Sequence, residues 1–148
     1  MVIIGKPRHS KPSNILKFLC ILTFIWSGLG ILYNLTYSLF LNYIKNIMTQ
    51  IELPEIYNNY RDLMLNLLSS GRFFFVLGLL ANISSVYGAA LMLRMQKKGF
   101  HFYAIAQIVM LILPLIFVKG SSFSGGEFII TLTFITLYAL NTKNMQNS

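Results

Sequence analysis

Residues 73–118 read FFFVLGLLANISSVYGAALMLRMQKKGFHFYAIAQIVMLILPLIFV: two apolar runs, 73–93 and 100–118, joined by a turn carrying Arg94, Lys97 and Lys98. Each run approaches or reaches the roughly 20 residues a helix needs to cross a hydrocarbon layer about 30 Å thick. The joining turn is short, so the two helices are read as an antiparallel hairpin. Working outward, two more runs, 15–41 and 123–140, flank it. The first is long enough to tilt or protrude. The last is the weakest, because Gly125 and Gly126 interrupt its start and its firm part begins only at Phe128. The expected fold is all-α: a polytopic membrane protein, a four-transmembrane-helix antiparallel bundle with one extracytoplasmic amphipathic helix. A single membrane domain takes all of 1–148, leaving a tail 1–13, an outer loop 42–72, a turn 94–99, an outer turn 119–122 and a tail 141–148.

Charge orients this bundle. Four crossings put both chain ends and the 94–99 turn on one side, with Lys6, Arg8, Lys11, Lys17, Arg94, Lys97, Lys98 and Lys143. The other side holds Lys45, Arg61, Arg72 and Lys119, cancelled by the four acids Glu52, Glu55, Asp62 and Glu127. The formal charge of +8 thus falls on one face. Lys and Arg are retained on the cytoplasmic side during insertion, so both termini are expected there, in a bacterial cytoplasmic membrane.

Composition excludes several classes. An apolar share of 55 % with 11 % charged residues is far from a soluble domain, where about a quarter of residues are charged. The cations are split among short segments beside spans, which marks topogenic charge in contact with membrane lipids rather than nucleic-acid binding. Cys20 is the only cysteine, so neither an intramolecular disulfide nor a thiolate metal site is available. The amino-terminal order, basic then apolar, is that of a signal. The run then continues past any small-x-small cleavage site, so a retained anchor is expected.

In the outer loop Ile56, Tyr60, Leu63, Met64, Leu67 and Leu68 recur with helical period, opposite Asn58, Asn59, Arg61, Asp62 and Asn66. An amphipathic helix over 55–69 follows, with Pro54 placed for its first turn and Gly71 for its end. It is either a passive connector at the outer interface or a lid over the bundle mouth. Within the spans, Ser13 or Asn14 is positioned to cap the first helix, and Pro114 to kink the third near its end. Gly78, Ala81, Ser85, Gly88 and Ala89 mark the second helix as a close-packing element, the Ala81, Ser85, Ala89 spacing forming one stripe. Asn34, Asn82 and Gln107 are the deep amides. Asn82 and Gln107 stand out, each needing a partner inside the bundle, by interhelical hydrogen bonding or by contact with a bound lipid or quinone head. Tyr57 and Tyr60 on the outer side, and Tyr103 and Tyr138 toward the inner, are expected in interfacial belts. The sequons at Asn34 and Asn82 lie in or at the edge of spans, and are chance matches.

No Asp, Glu, Lys or Arg lies centrally in a span, which argues against proton-coupled or voltage-driven work. His101, beside lysines and with no carboxylate near it, reads as an interfacial residue, and His9 lies in the tail. Neither a catalytic residue, nor a metal ligand, nor a cofactor-binding constellation stands out.

The segment Lys97-Lys98-Gly99-Phe100-His101-Phe102-Tyr103, continued by Ala106-Gln107, Pro114 and a glycine-bearing turn, resembles a group of small uncharacterised bacterial four-helix integral membrane proteins of the domain-of-unknown-function type. That resemblance implies the fold and no activity. Membrane glutathione transferases carry a charged signature in helix two, absent here, and membrane thiol oxidoreductases need a Cys-x-x-Cys pair. The expectation is a non-enzymatic accessory subunit of a membrane complex or a small homo-oligomer, binding a protein partner or its own copies. The alternative is a lipid or hydrophobic small-molecule binding or transport protein.

Overall fold

The computed structural model describes residues 11–51, 54–118, 125–143 and 145, the Glu55 side chain excepted. Lys6, Arg8, His9, Glu52, the turn 119–122 with Lys119, and Phe123 lie outside the described residues. The described residues are helical: α1 (Asn14–Gln50), a single 3-10 turn (Glu55–Tyr57), α2 (Asn58–Ser69), α3 (Arg72–Leu93), α4 (Lys98–Phe117) and α5 (Gly125–Thr142). Three of them, α1, α3 and α4, are long and apolar enough to cross a membrane.

The first helix corrects the expectation of a span over 15–41. Ser13 caps it as predicted, its hydroxyl accepting from the Leu16 amide at 3.1 Å, but the helix continues to Gln50. Nothing between Leu41 and Gln50 breaks it, since the segment has neither proline nor glycine, and Leu41, Ile44 and Met48 pack against α2 and α3 through Leu67, Leu68 and Phe75. At about 1.5 Å per residue, its 37 residues run to about 55 Å, well beyond a hydrocarbon layer of about 30 Å. The ladder is disturbed once, at Phe40 (φ −108, ψ 18). Just before it, Thr36 donates to the Leu32 carbonyl and Ser38 to the Leu35 carbonyl, both at 2.9 Å. Side-chain donors that compete in this way for helix carbonyls bend helices.

The expected amphipathic helix over 55–69 is a 3-10 turn (Glu55–Tyr57) followed by α2 (Asn58–Ser69), and only part of its apolar face packs on protein. Its shielded positions are Arg61, Leu65, Leu67 and Leu68, while Ile56, Tyr60, Leu63 and Met64 stay exposed. Arg61 Nε is shielded without a hydrogen-bond partner. Only Ser70 and Gly71 separate α2 from α3, and Gly71 takes φ +84 with ψ 168, an extended positive-φ conformation that is essentially confined to glycine and costs other residues about 1–3 kcal/mol.

α3 is the centre of the architecture, lying between α1 and α4 and packing along both. Its amino-terminal half meets the outer part of α1 through Tyr37 and Phe75, stacked at 5.2 Å, and Phe74 meets Phe117 of α4 at 6.0 Å. The turn from α3 to α4 is closed by two bonds, Gln96 N–H to the Leu91 carbonyl at 3.1 Å and Met95 N–H to the Met92 carbonyl at 2.9 Å. This is the six-to-one and five-to-two pattern that ends helices on a left-handed residue. Here that residue is Met95 (φ 59) instead of glycine, and its side chain is buried with Leu16, Met92 and Met145.

Candidate functional site

The polar side chains meet in one buried line along α3. Ser27 of α1 donates to Ser85 of α3 at 3.1 Å, and Gln107 of α4 donates to the same Ser85 oxygen at 3.3 Å. Ser85 is fully buried and Ser27 nearly so. The Gln107 expectation thus takes the form of a three-helix bridge. Such bonds average about 0.6 kcal/mol in lipid, so their chief effect is to satisfy donors and acceptors that lipid cannot.

Asn82 takes a different arrangement. It donates to the carbonyl of Gly78 in its own helix at 2.8 Å, and its amide lies over Gly30 of α1: a Cβ built on Gly30 would come 2.8 Å from Asn82 Cγ. Asn34 mirrors this, donating to the Gly30 carbonyl at 2.8 Å and covering Gly78, whose Cβ would lie 3.0 Å from Asn34 Cγ. Each helix therefore presents a glycine to the other's asparagine.

The small residues of α3 serve two neighbours rather than one stripe. Gly78, Asn82, Ser85 and Ala89 face α1, where Cys20 donates to the Ala89 carbonyl at 3.5 Å. Gly88 faces α4: a Cβ there would be 2.7 Å from the Gly99 carbonyl, and one on Gly99 would be 2.7 Å from the Met92 amide. Ala81, also buried, lies on the stripe of Ser84 and Gly88. Steps of four residues drift around a helix of 3.6 residues per turn, so Ala81 and Ala89 point about 80° apart.

Tyr103 and Tyr138 correct the belt expectation. They are 2 % and 0 % exposed and pack against each other edge to face at 4.6 Å. The Tyr138 hydroxyl pairs with Thr23 of α1 at 2.8 Å. Tyr57 and Tyr60, in contrast, are exposed, and His101 is exposed beside Phe100. Among the described residues, no group of three or more His, Cys, Asp or Glu comes together that could hold a metal.

The bundle ends differ sharply in charge. Ser13 of α1 donates to Asn141 of α5 at 2.8 Å, and Leu16, Met92, Met95 and Met145 share a cluster. The start of α1, the turn from α3 to α4 and the end of α5 are therefore one end of the molecule. Lys11, Lys17, Arg94, Lys97, Lys98 and Lys143 belong to these segments, which carry no acid among the described residues. Asp62 and Glu127 belong to elements of the opposite end.

These features define a class: a helical protein with three helices of membrane-crossing length and apolarity, sealed internally by small and amide residues. No family model matches the chain, and no curated protein or solved structure does either.

Sequence reasoning missed Gly30, Gly99 and Thr23. The available signal was Gly30 four residues before Asn34, repeated as Gly78 four residues before Asn82.

Proposed function

We propose that the chain is a non-catalytic integral membrane protein that works by association, as an accessory subunit of a membrane complex or a small homo-oligomer. In this reading α5 is a fourth crossing, both termini are cytoplasmic, and the membrane is a bacterial cytoplasmic membrane. The segregated cations support the orientation.

The observation that carries the association is α5. Its second half is docked through Tyr138, Asn141 and the residues around them. Its first six residues, 125–130, are exposed without a break, with Ile129 and Ile130 more than 60 % open and Leu132 at 52 %. In this reading the open apolar side chains Ile129, Ile130 and Leu132 of α5 are surface on which another helix can pack. The buried polar groups supply no competing reading, because the serines, Gln107 and both clasp amides are engaged with protein.

The test is purification in mild detergent with mass determination, together with Ile130→Cys cross-linking in a chain whose Cys20 is replaced by Ala. A particle heavier than one chain, or a cross-link from position 130 to a membrane protein, is the expected result. A monodisperse monomer with no co-purifying protein and no cross-link overturns the proposal.

A further inference from the structure

Residues 29–36, LGILYNLT, and 77–84, LGLLANIS, match with an offset of 48. Leu, Gly, Leu and Asn are identical, and Ile/Leu, Leu/Ile and Thr/Ser are conservative, so seven of the eight positions agree in kind. The first copy lies in α1 and the second in α3. These helices pack against each other in opposite directions, as the pairing of Cys20 with Ala89, Ser27 with Ser85 and Asn34 with Gly78 requires.

The contacts obey the same offset. Gly30 beneath Asn82 maps onto Gly78 beneath Asn34. The Ser27–Ser85 pair maps onto Phe75 and Tyr37, which are stacked at 5.2 Å. The Cys20–Ala89 pair maps onto Leu68 and Leu41, which share the outer cluster, although Leu68 lies in α2, so the correspondence between α1 and α3 ends at the start of α3. A local two-fold axis therefore passes through the clasp. The polar pairs lie on its basic side and the aromatic and aliphatic pairs on the other.

We infer that α1 and α3 are two copies of one membrane-crossing unit arranged as an inverted repeat, and that the reciprocal glycine–asparagine clasp at their crossing sets the register of the pair. Internal repeats of inverted topology are a known way of building membrane proteins. The chemistry explains how the clasp selects. Each asparagine spends one of its two donors on its own helix, on the carbonyl four residues back, which fixes the direction of the carboxamide. Its carboxamide oxygen then lies over the only kind of residue whose backbone can approach that closely, where Cα–H contacts are favourable. Sliding α1 by one residue sets Leu29 or Ile31 against the Asn82 amide in place of Gly30. By symmetry the same slide displaces Gly78 from Asn34, so both halves fail together. Parallel pairing fails for the same reason.

The test is a set of crossed variants of the full chain, melted in detergent. Gly30→Ala should lower Tm, and adding Asn82→Ala should recover most of the loss, because it removes the atoms that the new Cβ meets. Asn34→Ala should not recover it. Gly78→Ala should show the converse, recovering with Asn34→Ala and not with Asn82→Ala. Should either glycine variant fail to accumulate, the doubly changed chains are read by a disulfide between Ser27→Cys and Ser85→Cys, with Cys20 replaced by Ala. Retention of that cross-link in Gly30→Ala/Asn82→Ala is expected if the clasp geometry is right. Rescue of both glycine variants by either asparagine change, rescue by neither, or loss of the cross-link in the matched pair overturns the inference.

Discussion

Ser85 is the residue on which most depends for its size. It has no exposed surface, accepts from Ser27 and Gln107, and sits where α1, α3 and α4 converge. Replacing it by Leu puts a branched side chain into a full space, at a cost of roughly 1–3 kcal/mol. Ile83→Leu, at a position 47 % exposed, should leave the melting temperature in detergent almost unchanged, and an equally stable Ser85→Leu chain contradicts the packing described. Gly71→Ala is expected to lose about 1–3 kcal/mol for a different reason, the extended positive-φ backbone it must hold; the same melt measures it. The need for partners at Asn82 and Gln107 was legible, because an amide in lipid must be bonded wherever it is. Gly30 was not, since a glycine acquires its role only from the residue across from it, and that pairing is set by the register of two helices.

At the scale of elements, helix types and most ends followed from apolar run, cap and turn chemistry. Two features did not. The apolar run ends at Leu41, so the helix was expected to end there; yet Tyr43, Ile44, Ile47 and Met48 keep helical spacing through 42–50, and Ile44 and Met48 pack against the cluster of Leu41, Leu68 and Phe75. Tyr103 and Tyr138 have the composition of belt residues, and only the docking of α5 shows that they are a core pair. That docking makes a prediction. Tyr138→Phe keeps the ring and loses one hydrogen bond to Thr23, a change of about 0.6 kcal/mol on average in lipid. Tyr138→Ala empties a fully buried site and should cost about 3–5 kcal/mol, by analogy with other aromatic truncations. Cysteines at Ser13 and Asn141, in the Cys20→Ala background, report whether α5 remains seated. The cross-link should persist in Tyr138→Phe and fall sharply in Tyr138→Ala, and equal cross-linking in both shows that α5 is held elsewhere.

For the whole molecule, charge and topology reinforce each other. The chain-end helices and the turn from α3 to α4 gather six cations and no described acid at one end, while α2, with Arg61 and Asp62, belongs to the other. The same division was visible along the sequence because each charged segment is short and lies directly beside a long apolar run, where its sign acts on insertion. What the sequence could not supply is the extent of α1, whose helix continues past Leu41 to Gln50 where a loop was expected. Labelling in intact cells tests the topology. The native Cys20 is buried, so single cysteines introduced at Ser10, Asn58 and Asn147 report without replacing it. An impermeant thiol reagent should modify Asn58→Cys and leave Ser10→Cys and Asn147→Cys protected until the cells are opened. Labelling of position 10 alone means that α1 has the opposite orientation. Labelling of 147 with 10 protected means an odd number of crossings and contradicts the seating of Asn141 beside Ser13. The six cations, Tyr138 in its site and the short apolar length of α5 then bear on the same measurement, since only a crossing α5 brings Lys143 to the side of Lys17.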